Sequence, residues 1–347
     1  MQIKCLKTLL LATATLGAAS ALAVDGVIEI NQACAVNTGC FSGDGVGFPV
    51  EINGSAGVSY RLTGDLQVSD ENTTGILISG NGISVDLNGF AIRGVTNCFG
   101  FPTTCAPVGT GDGVAVINLT REGIEVRNGM VMNMGDAGLS LGGGARVENV
   151  RAIRNGGVGI GTSFASVVTG CAAVRNGGEG ISVGRGSTVS ASTASSNGGN
   201  GIFSDAGSTI STCSAYNNNN TGIYTGTGST VRDNLANNNG DDGIYGSAGS
   251  TMRGNSASGN ANRGIGAFRD TLISANSTSY NGDGQATDDG ISCESGGCLV
   301  EHNTSGGNDG FGIRFSGATS GYRANVTRNN TGGAVSGGTD LGDNLLN

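Results

Sequence analysis

Apolar and polar positions alternate over short runs, and the pattern then repeats with a fixed step. Between residues 147 and 272 a Gly-Ile pair recurs every 21 residues, at Gly159-Ile160, Gly180-Ile181, Gly201-Ile202, Gly222-Ile223, Gly243-Ile244 and Gly264-Ile265. Asparagine keeps the same step at Asn155, Asn176, Asn197, Asn218, Asn239, Asn260 and Asn281. An aliphatic residue keeps it at Val147, Val168, Val189, Ile210, Val231, Met252 and Ile273. The apolar runs, such as Thr230-Val231-Arg232 and Gly243-Ile244-Tyr245, are separated by Asn, Gly, Ser and Asp, which is strand and turn chemistry. A constant period marks a solenoid: one unit cannot bury its apolar face alone, but a stack of units can.

Stacking would bring equivalent strands about 4.8 Å apart, with the isoleucines in one interior column and the asparagines in a hydrogen-bonded ladder at a turn. The framework leucines of a leucine-rich repeat are missing, and 21 is not a multiple of six, as a left-handed hexapeptide helix would require. The spacing predicts an all-β chain, a single-stranded right-handed parallel β-helix of roughly twelve coils and about 55 Å. Residues 24–74 are out of phase and suit an N-terminal cap with the first strands, since a solenoid must protect its terminal strand edge. The β-helix is expected over 75–340 and a short tail over 341–347.

Composition agrees with a narrow solenoid. The chain has 66 glycines, no tryptophan and only 5% aromatic residues, too few bulky side chains for a conventional globular core. Residues 1–23 read as a secretion signal, with Lys4 and Lys7 before an apolar stretch and Ala21-Leu22-Ala23 as the cleavage pattern. A secreted chain, extracellular or periplasmic, is expected after cleavage near Ala23, with no membrane span. Cleavage removes both lysines and leaves 16 arginines against 27 acidic residues, a formal charge of −11. Such a chain is a poor partner for a phosphate backbone, so nucleic acid is not expected.

Of the eight remaining cysteines, Cys34 with Cys40, Cys98 with Cys105, and Cys293 with Cys298 are close enough in sequence for local disulfides in an oxidising compartment. Cys171 and Cys213 share one repeat position two coils apart, about 9.6 Å by strand spacing. That exceeds the roughly 7 Å reach of a disulfide. They are expected to be buried free thiols in the column of Asn234, Asn255 and Asn276.

The run Tyr60-Arg-Leu-Thr-Gly-Asp-Leu, then Gly82-Ile-Ser-Val-Asp-Leu-Asn-Gly-Phe-Ala-Ile, then the Asn-x3-Gly-Ile coils, resembles secreted right-handed parallel β-helix repeat proteins of the pectate-lyase-like superfamily. The resemblance covers nearly all of the mature chain. It implies the fold and a polysaccharide or surface glycan as partner, but no particular activity.

Candidate chemistry gathers where the period breaks. Asn281 to Gly290 spans nine residues where Asn239 to Gly243 spans four, and the Cys293–Cys298 loop and Glu294 follow. Phasing places Asp242, Arg263 and Asp289 at one position of consecutive coils, with Asp241 and Asp288 one residue earlier. Asp242 and Asp289, about 9.6 Å apart at the backbone, suit the carboxylate separation of roughly 6.5–9.5 Å used in inverting glycoside hydrolysis. As catalytic residues they would be acid and base on an acidic polysaccharide, with Arg263 binding a uronate. The pair looks like the paired aspartates of polygalacturonases. However, the matching turns here read Gly178-Glu-Gly-Ile and Phe311-Gly-Ile-Arg314, where those enzymes carry Gly-His-Gly and Arg-Ile-Lys. The other reading is a solvated Asp-Arg-Asp row.

The residue after each isoleucine points outward, and in three coils it is Phe203, Tyr224 and Tyr245. With Arg314 these are the candidate substrate-binding residues, a platform for sugar rings; the alternative is that the rings stack to stabilise the sheet. No cofactor is required and no metal site is assigned, although the acidic turn of Asp283, Asp288 and Asp289 offers calcium its preferred oxygens without any recognised spacing. A non-enzymatic, adhesin-like surface or matrix role remains the competing class, and the oligomeric state is not legible.

Overall fold

The computed structural model describes residues 26–54, 56–285 and 287–347. The expected leader lies outside these residues. The chain is a right-handed parallel β-helix, and each regular coil gives one strand to a 13-stranded sheet and two to a 25-stranded sheet. In one coil these strands are Ile202–Ser204, Thr209–Ser211 and Ser214–Tyr216. Thirteen strands in the first sheet make one coil more than the spacing suggested. The reason lies in residues 24–74, whose strands Ile28–Ile30, Val50–Ile52 and Ser59–Leu62 pair with later strands in both sheets. A short helix, Gln32–Asn37, is capped by Asn31 and buries Ala35 in the first part of the core.

The core is a set of columns. Ile160, Ile181, Ile202, Ile223, Ile244 and Ile265 are fully buried, as are Val168, Val189, Ile210, Val231, Met252 and Ile273. The facing column is small, Ala152, Ala173, Ala194, Ala215, Ala236 and Ala257, which lets the sheets approach closely. Register is exact from coil to coil, as in Ile202↔Ile223↔Ile244. A one-residue slip would exchange interior and exterior side chains, so the buried columns fix the register.

The asparagines do form ladders. Asn218 is buried; its amide donates to Asn239 Oδ1 (3.0 Å) and to the carbonyl of Ala194 (3.1 Å). Its Oδ1 accepts from the main chain (3.1 Å) and the side chain (2.9 Å) of Asn197. Each asparagine therefore satisfies groups that a tight interior turn would leave unpaired, and a buried unpaired group costs about 1–3 kcal/mol. A parallel ladder runs through Asn234, Asn255, Asn276, Asn303 and Asn325. Cys213 heads it, donating its N–H to Asn234 Oδ1 (2.9 Å), and Cys171 sits two column places earlier, with Ser192 between them. Both are buried free thiols, and burial pushes each up to about 11.

Cys34–Cys40, Cys98–Cys105 and Cys293–Cys298 are disulfides. The second staples an antiparallel hairpin, Asn97–Phe99 with Thr104–Ala106, that leaves the solenoid and lies back along it. Thr103 donates through Oγ1 to the carbonyl of Ser196 (2.6 Å) and through its N–H to Asn219 Oδ1 (3.3 Å).

Candidate functional site

The 13-stranded sheet carries one outward residue per coil. Its register gives the column Ser140, Gly161, Ser182, Phe203, Tyr224, Tyr245, Gly266, Ser292 and Arg314. Three aromatic residues therefore stand between small ones. Their rings are half-buried and stacked: Phe203 and Tyr224 have centroids 5.4 Å apart with planes 7° from parallel, and Tyr224 and Tyr245 5.3 Å and 15°. Parallel rings at that separation are offset, so each covers part of its neighbour's face and leaves part open. The outward placement expected of these residues is present, and the rings stack on one another.

The turn preceding this sheet supplies the charges. Main-chain hydrogen bonds to the carbonyls of Asp242, Arg263, Asp289 and Phe311 put these four at one position of successive coils. Asp242 is only 2% exposed. Its carboxylate takes a bidentate fork from Arg263, Nε to Oδ1 at 3.0 Å and Nη2 to Oδ2 at 2.8 Å, with the Arg263 N–H added at 3.1 Å. Arg263 Nη1 bonds Glu294, whose other oxygen accepts from the Tyr245 hydroxyl at 3.2 Å. The guanidinium lies 5.5 Å from the Tyr245 ring centroid. Gly266 makes room for it, since a Cβ there would stand 3.0 Å from Arg263 Cζ and 2.9 Å from Tyr245 Cδ2.

Burial pushes the Asp242 carboxyl up, against the opposing pull of Arg263. Burial would lower Arg263, but Asp242 and Glu294 outweigh it and raise it. Tyr245 is pushed up to about 12, first by burial and then by the Glu294 carboxylate.

An open polar cleft of about 460 Å³ is lined by Asn200, Asn220, Thr221, Asp241, Arg263 and Glu294, together with Asp242 and the two tyrosines. Asp241 accepts from Thr221 Oγ1 at 3.0 Å and Asn262 Nδ2 at 3.1 Å. A second cleft of about 300 Å³ continues along the face, between Leu119, Ser140, Ser182 and Phe203. A larger apolar pocket around Phe41, Val58 and Tyr60 belongs to the first coils and contains none of these groups.

The structure thus gathers Asp241, Asp242, Arg263, Tyr224 and Tyr245, with Phe203 at one end of the ring stack. The other candidates do not line that cleft. Asp289 is buried; it accepts the Phe311 N–H at 2.8 Å and pairs with Arg314 Nε at 2.7 Å, both in the following coil. Burial pushes its carboxyl up, against those two partners and the charge of Arg263. Arg314 also lies 4.9 Å from the Phe311 ring centroid and does not line the cleft. Asp288 folds the inserted turn, its Oδ2 accepting from the N–H groups of Asp283 (3.0 Å) and Gln285 (2.7 Å). No group of His, Cys, Asp and Glu side chains fit for a metal occurs among the described residues.

Sequence reasoning did not assign Glu294, Thr221, Asn200 or Asn220 to the site. The only advance signal was for Glu294, in the irregular loop between Cys293 and Cys298. The other three occupy ordinary turn positions and become part of a cleft only through stacking.

No family model and no curated protein sequence matches the chain. Solved structures do. The A-module of the mannuronan C-5 epimerase AlgE6 of Azotobacter vinelandii superposes with a TM-score of 0.68 at 14% identity, covering 83% of this chain and 90% of that one. The A-module of AlgE4 from the same organism gives a TM-score of 0.57 at 14% identity, with 91% and 92% covered. At such identities the likeness is one of fold, a parallel β-helix.

Proposed function

We propose that this protein binds a polysaccharide along the outward face of its 13-stranded sheet, over Phe203, Tyr224 and Tyr245 and into the adjoining polar cleft. The observation that carries the reading is the offset aromatic stack beside a cleft lined by amides, a hydroxyl and carboxylates. The uncovered parts of the ring faces suit the apolar faces of pyranoses, and polar neighbours suit the hydroxyls. The fold likeness to epimerases named for a polysaccharide agrees with it. Export after cleavage near Ala23, which the three disulfides suit, would bring the face to such a polymer.

Hydrolysis is the second reading, with Asp242 and Asp289 as acid and base and Asp241 and Asp288 beside them. It is favoured by the burial-raised carboxyls of Asp242 and Asp289. It also requires both to leave their arginines. One experiment addresses the two readings: a panel of glycans is tested for binding and for new reducing ends with the native chain, Tyr224→Ala, Tyr245→Ala and Asp242→Asn. The expected result is binding that weakens about tenfold or more in each tyrosine variant, about 1.4 kcal/mol. Turnover abolished in Asp242→Asn would establish the hydrolase reading. Undiminished binding in both tyrosine variants, with circular dichroism unchanged, would remove the aromatic row from function.

A further inference from the structure

We infer that the cleft is selective for an uncharged glycan and excludes polyuronates. This rests on the glycan-binding reading and names its ligand class. The first ground is that the cation of the cleft, Arg263, is already neutralised: among the described residues it is the basic group lining the cleft, and two carboxylates pair with it. Arg263 Nε and Nη2 are held by Asp242, and Nη1 by Glu294. The guanidinium is also covered on one side by Tyr245 and on another by the backbone at Gly266. An incoming uronate could reach only the two remaining N–H groups of a guanidinium whose charge Asp242 and Glu294 already offset, and it would meet both of those carboxylates.

The second ground is the charge balance. Asp241, Asp242 and Glu294 line the cleft against Arg263 alone. Among the described residues Asp241 is held by the neutral donors of Thr221 and Asn262 and has no counterion. No lysine exists beyond Lys7 to offset this. Asp205 adds a further carboxylate to the neighbouring cleft. Like-charge juxtaposition across an interface costs several kcal/mol, and this term acts against every uronate residue of a chain lying along the face.

The third ground is what the cleft does offer. Asn200 and Asn220 have no side-chain hydrogen-bond partner among the described residues, and both line the cleft. A carboxamide donates and accepts, and a carboxylate accepts from a hydroxyl. Donors and acceptors of that kind match sugar hydroxyls, and the open portions of the Tyr224 and Tyr245 rings match a neutral pyranose face.

The test is calorimetric titration of the full mature chain with neutral hexasaccharides (β-1,4-glucan, β-1,3-glucan and N-acetylglucosamine series) and with hexamers of mannuronate and galacturonate. It is run at low and at physiological ionic strength. At low salt at least one neutral hexamer is expected to bind about tenfold or more tightly than either uronate, and the ratio to narrow as salt screens the carboxylates. The doubly substituted chain Asp241→Asn, Glu294→Gln keeps one acceptor oxygen on each side chain and removes two charges, and is expected to narrow the same ratio at low salt. A uronate that binds as well as the neutral hexamers overturns the selectivity and leaves the glycan-binding reading standing. So does a ratio that neither salt nor the double substitution moves. Absence of binding by every hexamer of both classes overturns the glycan-binding reading itself.

Discussion

Asp112, Asp242 and Asp289 stand at one position of their coils and use one oxygen in the same way. Each Oδ1 accepts the N–H of the residue at that position in the next coil: Ala137 at 2.9 Å, Arg263 at 3.1 Å and Phe311 at 2.8 Å. What separates them is the second partner. Asp242 and Asp289 have arginines, whereas Asp112 faces the Asp136 carboxylate, and burial followed by that repulsion pushes it up to about 6. A carboxyl whose folded value exceeds its unfolded one destabilises the fold when ionised. The penalty is full above the folded value and is lost as pH falls from about 6 toward the ordinary 3.8. Asp112→Asn keeps the acceptor for Ala137 and is expected to raise the thermal midpoint at pH 7 to 8, by an amount that shrinks as pH is lowered to 4. A shift independent of pH would show that ionisation of Asp112 is not its cause. Repeat phase alone identified the position of Asp242 and Asp289. It did not reveal the pairing, because Arg263 stands in the column itself whereas Arg314 lies three residues beyond Phe311.

Elements outside the repeat were legible as local features and not as placements. The cysteine spacing announced a stapled side loop at 98–105, but its docking over Ser196 and Asn219 depends on which coils the stack brings beneath it. The aromatic row was legible because strand side chains alternate with a period of two. The closure of the site by Glu294 was not, since its loop reaches Tyr245 across 49 residues of sequence. The hairpin is small, and a disulfide closing so short a loop contributes about 2 kcal/mol. The double change Cys98→Ser, Cys105→Ser should therefore speed amide exchange in residues 97–106 by roughly thirtyfold, with no comparable change in the Asn218 ladder. Equal acceleration throughout the coils would mean that the hairpin is part of the cooperative core instead of a clasp laid over it.

At the scale of the whole molecule, stability is a sum of coil-to-coil interfaces, and each interface is the same set of columns. The buried isoleucines, the alanines opposite them and the asparagine ladder all return after one period. One complete period is therefore the unit that can be removed without loss of register. Excision of residues 219–239 would set Asn218 against Asn260, Ala215 against Ala257, Ile202 against Ile244 and Phe203 against Tyr245, all partners of the same kind as those they replace. The shortened chain is expected to keep the β-sheet circular dichroism and a cooperative melt, at a somewhat lower midpoint because one interface is gone. Excision of residues 219–229 removes about half a period and with it the strand Ile223–Thr225 alone. Asn218 is then joined to Thr230, and the strands Thr230–Arg232 and Leu235–Asn237 follow with no intervening strand of the other sheet, so the columns cannot be re-formed across the junction. That chain is expected to lose the cooperative transition altogether. If the two deletions melt alike, the column register is not what holds the solenoid together. The aromatic row provides an internal check on the longer deletion, which leaves two stacked rings in place of three and should weaken glycan binding while the fold survives.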